Sequence, residues 1–151
     1  MKRISTLILV AVALLMPRLA SAQGYVPTEE ILKSREEFAD SKFGVFLHWG
    51  LYSMFAQGEW YMNRGIDSKE YAKSMHAFYP HRFDAAQWVS AIKAAGAKYI
   101  CFTSRHHEGF SMWDTKQSDY NIMNTPYGKD VIRQLADECH RQGIKLHLYY
   151  S

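Results

Sequence analysis

The chain has 151 residues, with 18 Lys and Arg against 15 Asp and Glu, for a formal net charge of +3 at pH 7. Lys2, Arg3 and Arg18 carry that whole excess and residues 23–151 are balanced, so composition offers no basic surface for nucleic acid or an anionic membrane. Two cysteines, Cys101 and Cys139, are too few for a disulfide framework. Two free thiols and a single bridge are both open readings.

The amino terminus reads as an export signal. Lys2-Arg3 precede an apolar run from Ile4 to Met16, which is short for a bilayer span, and Ala20-Ser21-Ala22 is a small-x-small cleavage site. Residues 1–22 are expected to be a signal peptide, with an uncleaved anchor as the alternative. Residues 23–151 are then the mature part, exported to the periplasm or the medium, with no membrane contact after cleavage. That length suffices for one small core.

Thr28 can cap a helix running to about Ala39, with Glu29 and Glu30 in its first turn. Ile31, Leu32, Arg35 and Phe38 follow helical spacing and predict one buried face. Phe43–Leu47 is a continuous apolar run, expected of a strand buried on both faces. A long connection follows from about Leu51 to Arg82, with a short helix signalled by Asp67 as N-cap and Glu70 as capping-box partner. Asp84 opens the next helix, with Trp88, Ile92 and Ala95 on one face and Gly96 as its stop. The second strand spans Lys98–Thr103, and a second long loop runs from Ser104 to about Gly128. A third helix, Lys129–Gln142, places Val131, Ile132, Leu135 and Cys139 together and ends at Gly143. The third strand is Ile144–Tyr150.

Strands separated by crossover helices pair in parallel, so the class is α/β. Both helix-to-strand joints are essentially one glycine, while both strand-to-helix connections exceed 20 residues. That asymmetry fits a (β/α)8 barrel, in which the βα loops build the site and the opposite face provides stability. The chain would supply about the first three βα units of such a TIM-like barrel, after a signal peptide and an N-terminal helix. A doubly wound nucleotide-binding sheet needs a glycine-rich turn after its first strand, and His48-Trp49-Gly50-Leu51-Tyr52 lacks one.

Three strand ends bring chemistry to one face: His48 and Trp49, then His106 and His107, then Tyr149. The first loop adds Glu59, Trp60 and Tyr61, and the second Phe110, Trp113, Asp114, Asp119 and Tyr120. Imidazoles that donate or accept, a carboxylate and flat aromatic faces suit a neutral polyhydroxylated ligand. Packing is the plainer reading for a single histidine or for Trp60 and Tyr61. It explains the adjacent pair His106-His107 poorly, because strand alternation sends neighbours apart. His76, His81 and His140 have no motif around them and are expected at the surface. Arg105 and Glu108 have a plain reading as a structural ion pair. Zinc bound by His48, His106 and Glu59 is the sharper rival, although neither H-x-H nor H-E-x-x-H is present. No G-x-S-x-G supports a serine nucleophile.

At these residues the chain resembles the amino-terminal part of glycoside hydrolase family 29 α-L-fucosidases. The resemblance runs through Lys42–Ser53, Glu59-Trp60-Tyr61, Ala95–Tyr99, His106-His107, Gly109-Phe110, Trp113 and Tyr149-Tyr150-Ser151. It implies a catalytic barrel that hydrolyses terminal α-L-fucosides of glycans with retention, needing no cofactor or metal. It also implies that His48, Glu59, Trp60, His106, His107 and Tyr149 line the fucose pocket, with Tyr149 near the nucleophile. The commoner family form has lysine before the histidine pair and aspartate after it, where this chain has Arg105 and Glu108. The resemblance places the aspartate nucleophile after a fourth strand and the acid/base further on, beyond Ser151. A chain that stops at the third strand is therefore expected to be inactive alone. A non-catalytic glycan-binding module and a metal-dependent barrel hydrolase are the alternatives.

Overall fold

A computed structural model describes residues 24–151; the expected signal peptide, residues 1–22, lies outside the described residues. The described residues divide into two compact units, residues 24–36 and 37–151. Helix α1, Glu29–Asp40, runs across that boundary. In the first unit the Ile31 amide donates to the Thr28 hydroxyl (3.4 Å), the expected cap, and the Arg35 guanidinium lies over the Tyr25 ring. No residue of α1 is buried: Ile31, Leu32 and Phe38 remain 37, 51 and 54% exposed. The expected buried face is thus corrected: no α1 residue is buried, and Phe38 meets the Tyr99 and His147 rings at 5.8 and 5.6 Å while staying half exposed.

In the second unit three strands, β1 (Gly44–Leu47), β2 (Tyr99–Arg105) and β3 (Lys145–Tyr150), form one parallel sheet in the order β1-β2-β3. Helix α3 (Ala85–Ala94) connects β1 to β2, and α4 (Val131–Gln142) connects β2 to β3. The short helix α2 (Ser68–Ala72) lies in the first connection. Asp84 and Asp130 cap α3 and α4 by accepting from the amides three residues on, at 2.9 and 2.7 Å. Asp67 caps α2 by accepting from Lys69 and Glu70. The expected capping box does not close, since the Glu70 carboxylate pairs with Lys73 instead. Gly143 ends α4 in the left-handed region, at φ +69°, which a side chain disfavours.

Alternation divides the sheet into unlike faces. Ile100 and Phe102, both 0% exposed, point to the helices and join Val89, Val131, Leu135 and Cys139 in the core. The other face carries Phe46, Cys101 and Tyr149, and is open: Phe46 is 50% exposed. The expectation that both faces of β1 are buried is therefore corrected. β1 is an edge strand here, covered only on its helix side. Gly44 lies under the Tyr99 ring, and a side chain there would have to displace that ring. Cys101 and Cys139 are both free thiols.

The long strand-to-helix connections are not structureless. The first contains α2 and three short 3-10 turns, and the second a turn at Ile122–Asn124 and bridges from Ser111 to Arg105 and Asn121. Leu51, Tyr71, Phe78, Phe110, Met112 and Ile122 from these connections are all buried in the core. Many of the aromatics outside the strands pack there.

Candidate functional site

The carboxyl end of β2 organises the site. β2 and β3 run in register from Tyr99↔Lys145 to Thr103↔Tyr149, and then Arg105 pairs with Tyr150, so Ser104 is an extra residue. Its hydroxyl donates to the Tyr149 carbonyl at 2.7 Å and locks this bulge. A bulge re-aims the residues that follow it, and here they are His106 and His107.

One residue earlier, Thr103, 1% exposed, ties the end of β1 to β2. Its hydroxyl accepts from the Trp49 amide (3.3 Å), shares a hydrogen bond with the Tyr52 hydroxyl (2.9 Å) and faces the Leu47 and Trp49 carbonyls. This anchors the turn that presents His48.

His106 is 3% exposed and central. Its ring centroid lies 5.6 Å from that of His48, 4.5 Å from His107, 5.7 Å from Trp60, 5.9 Å from Tyr149 and 5.3 Å from Tyr52. Trp60 also lies against His107, at 4.4 Å. The His107 Nδ1 is joined to the Ser151 hydroxyl at 2.7 Å. Five of the six expected site residues are thus drawn together, and the sixth, Glu59, is half-buried with its charge felt by His106 and Tyr52.

The electrostatics favour an uncharged His106 ring. Burial holds the His106 imidazole below its ordinary value, His107 and His48 add to this by charge repulsion, and Glu59 opposes it. Burial, the dominant cause, keeps the Tyr52 hydroxyl protonated far above its ordinary range. An aromatic-walled cluster of imidazoles can exchange hydrogen bonds with hydroxyl groups and offer Trp60, 51% exposed, as a flat face.

Other expected residues go elsewhere. Trp49 turns away from the cluster into the core side, stacked on Phe83 at 5.2 Å and against Trp88 at 5.1 Å. Phe110 and Tyr120 pack on each other beneath the loop, at 5.1 Å. Tyr61 packs on Phe55. His76, His81 and His140 are exposed. Among the described residues no three His, Cys, Asp or Glu side chains gather where one ion could be held, so His48, His106 and Glu59 are not set as ligands. The Arg105–Glu108 pair does not form either. The Arg105 guanidinium donates to the Tyr150 hydroxyl at 3.1 Å and lies over that ring, while Glu108 is buried 3.7 Å from the His106 Nδ1. Tyr52, Thr103 and Glu108 are the residues sequence reasoning missed. Tyr52 lies inside the His48–Ser53 block, but nothing local marks its hydroxyl as pointing inward.

A sequence profile of the alpha-L-fucosidase family matches residues 12–151. The chain belongs to the alpha-L-fucosidase family. An alpha-L-fucosidase of Dictyostelium discoideum is 33% identical, over 96% of this chain and 37% of the relative. The human plasma alpha-L-fucosidase is 33% identical, over 87% of this chain and 33% of the relative. Among solved structures, the fold is similar to an unliganded alpha-L-fucosidase from Lactobacillus casei (TM-score 0.75, 37% identity, 79% of this chain and 40% of that one). It is also similar to a family 29 enzyme from Bacteroides thetaiotaomicron trapped as a covalent intermediate with 2-fluoro-fucosyl fluoride (TM-score 0.75, 33% identity, 78% and 30%). This fucosidase-family chain therefore spans about a third of the length of the curated relatives it matches.

Proposed function

We propose that residues 23–151 form the sugar-holding wall of a retaining exo-α-L-fucosidase that releases terminal α-L-fucose from glycans. The observation that carries this is the strand-end cluster of His48, Trp60, His106, His107 and Tyr149 in a chain of the alpha-L-fucosidase family. Imidazoles that donate or accept suit the hydroxyls of a deoxyhexose, and Trp60 suits its C–H face. Glu59, half-buried at the rim, is the hydroxyl-pair acceptor.

Retention needs two carboxyl groups about 5–5.5 Å apart, one a nucleophile and one an acid/base. The covalent intermediate named for the Bacteroides relative supports that route. We assign neither role to a residue of this chain; the pair comes from sequence outside it. The open sheet face and the two edge strands are the sides on which a (β/α)8-like barrel of about 250 residues is completed. Residues 1–22 direct export to the periplasm or the medium.

Hydrolysis of an aryl α-L-fucoside tests this. The full-length protein is expected to release the aglycone and residues 23–151 alone to release none. Turnover by residues 23–151 overturns the assignment of the carboxyl pair to other sequence. No turnover by the full-length protein overturns the fucosidase reading.

A further inference from the structure

Directly beneath the cluster lies a second set of polar groups that sugar binding does not use. The Oε2 of Glu108 and the Nδ1 of His106 face each other at 3.7 Å, with both side chains 3% exposed. Neither atom has a hydrogen-bond partner, and neither do the buried hydroxyls of Tyr71 and Tyr120 or the Arg105 Nε. Buried polar atoms without partners are rare, and here two of them, on Glu108 and His106, face each other. The 3.7 Å separation is just too long for a hydrogen bond.

We propose that Glu108 is a positioning residue that decides which nitrogen of His106 carries the proton, and so whether the nitrogen facing the cluster accepts or donates. With Glu108 as carboxylate, Nδ1–H donates to it and Nε2 keeps its lone pair. With Glu108 as carboxylic acid, its O–H donates to Nδ1 and Nε2 carries the hydrogen. The two states differ by one proton. When a proton arrives at Nε2, an N–H bond forms there, the one at Nδ1 breaks, an O–H bond forms on Glu108, and the ring stays neutral throughout. The histidine is thereby a donor in one state and an acceptor in the other without ever becoming a cation.

The surroundings support both states. Burial pushes the Glu108 carboxyl up to about 7, its own backbone hydrogen bond and Arg105 holding it from going higher. Tyr52, Tyr71 and Tyr120 face the carboxyl group and feel its charge. His48, His107 and Glu59 face the imidazole, which burial and the two histidines keep uncharged.

The meaning of the Nε2 state for a sugar hydroxyl rests on the fucose-pocket reading; the proton position does not. The test is a long-range 1H–15N correlation experiment on full-length protein labelled with 15N-histidine. It runs from about pH 5.5 to about pH 8.5, around the ordinary histidine value of about 6.5. His106 is assigned by the signals missing from His106→Gln. One inflection is expected, with Nε2 changing from protonated to unprotonated as pH rises and Nδ1 changing in the opposite sense. Glu108→Gln is expected to abolish the inflection and leave one tautomer at every pH, and Glu108→Asp to restore an inflection. The proposal is overturned by a wild-type His106 whose two nitrogens shift together, as in loss of a proton from an imidazolium. An inflection that persists in Glu108→Gln overturns it equally. The wild-type spectrum decides even where a variant does not fold. Failure of the fucosidase reading is seen separately, as a switching His106 in a protein that hydrolyses no α-L-fucoside.

Discussion

His48 and Trp49 are neighbours in the chain but belong to two different regions. Trp49 stacks among Phe83, Trp88 and Phe78 on the helix side of the sheet, where contacts are apolar and close. His48 stands exposed at the open end, against His106 and Tyr149. The helix side is filled by side chains that bury themselves, and it supplies the stability. The strand-end cluster consists of polar rings, and it is held in place by a few hydrogen bonds at its base. Geometry at the cluster is therefore borrowed from the core, through Thr103, Tyr52 and the Ser104 bulge.

That division can be broken from the core side first. Phe102→Ala empties a 0% exposed site and is expected to cost about 3–5 kcal/mol by denaturant unfolding. A cost below about 1 kcal/mol would show that the helix side is not the stabilising layer. Thr103→Val attacks the joint between the regions. It keeps the shape but strands the Tyr52 hydroxyl, which Thr103 partners at 2.9 Å. A loss of about 1–3 kcal/mol is expected in the same measurement, together with weaker fucose binding by calorimetry. Binding unchanged at that cost would mean that His48 does not depend on the joint.

Glu108 lies between the two regions and should reveal itself through pH. Its carboxyl group is raised to about 7 in the folded protein, so between the ordinary carboxylate value and 7 the folded state binds more protons than the unfolded one. Stability from this group is then full below the unfolded value and falls as pH rises toward 7, by at most about 1.4 kcal/mol per pH unit. Unfolding midpoints of wild type minus Glu108→Gln isolate that slope from the opposite one of His106. A flat difference would place Glu108 in water. The smallest effect is expected at Trp60→Ala. A side chain 51% exposed should change stability by less than about 0.5 kcal/mol, while fucose affinity falls clearly. Equal loss in both would return Trp60 to the packing role.

Much of the fold was legible because its signals are local. Asp84 and Asp130 bond to amides three residues on, and Gly143 takes a left-handed turn whatever surrounds it. The parallel order followed from helices between strands. The buried face expected for α1 and the doubly buried β1 were wrong for one shared reason, that an apolar stripe does not say what lies opposite it. Of the candidate site, His48, His106, His107 and Tyr149 were legible as polar types at strand ends and Trp60 as a loop aromatic. Their support was not, because Thr103 reads as an ordinary strand residue and Glu108 as half of a structural ion pair with Arg105.

The sequence by itself determined the type and order of the elements, their caps and stops, and the three strand ends that carry polar chemistry, all through interactions within about one helical turn. Only the tertiary structure decided that Trp49 leaves the site, that Tyr52 enters it, and that Glu108 goes beneath His106 and not onto Arg105. Those outcomes hang on contacts between residues about fifty positions apart, Ser104 to Tyr149 and Tyr52 to Thr103, and on a one-residue bulge that no local pattern encodes.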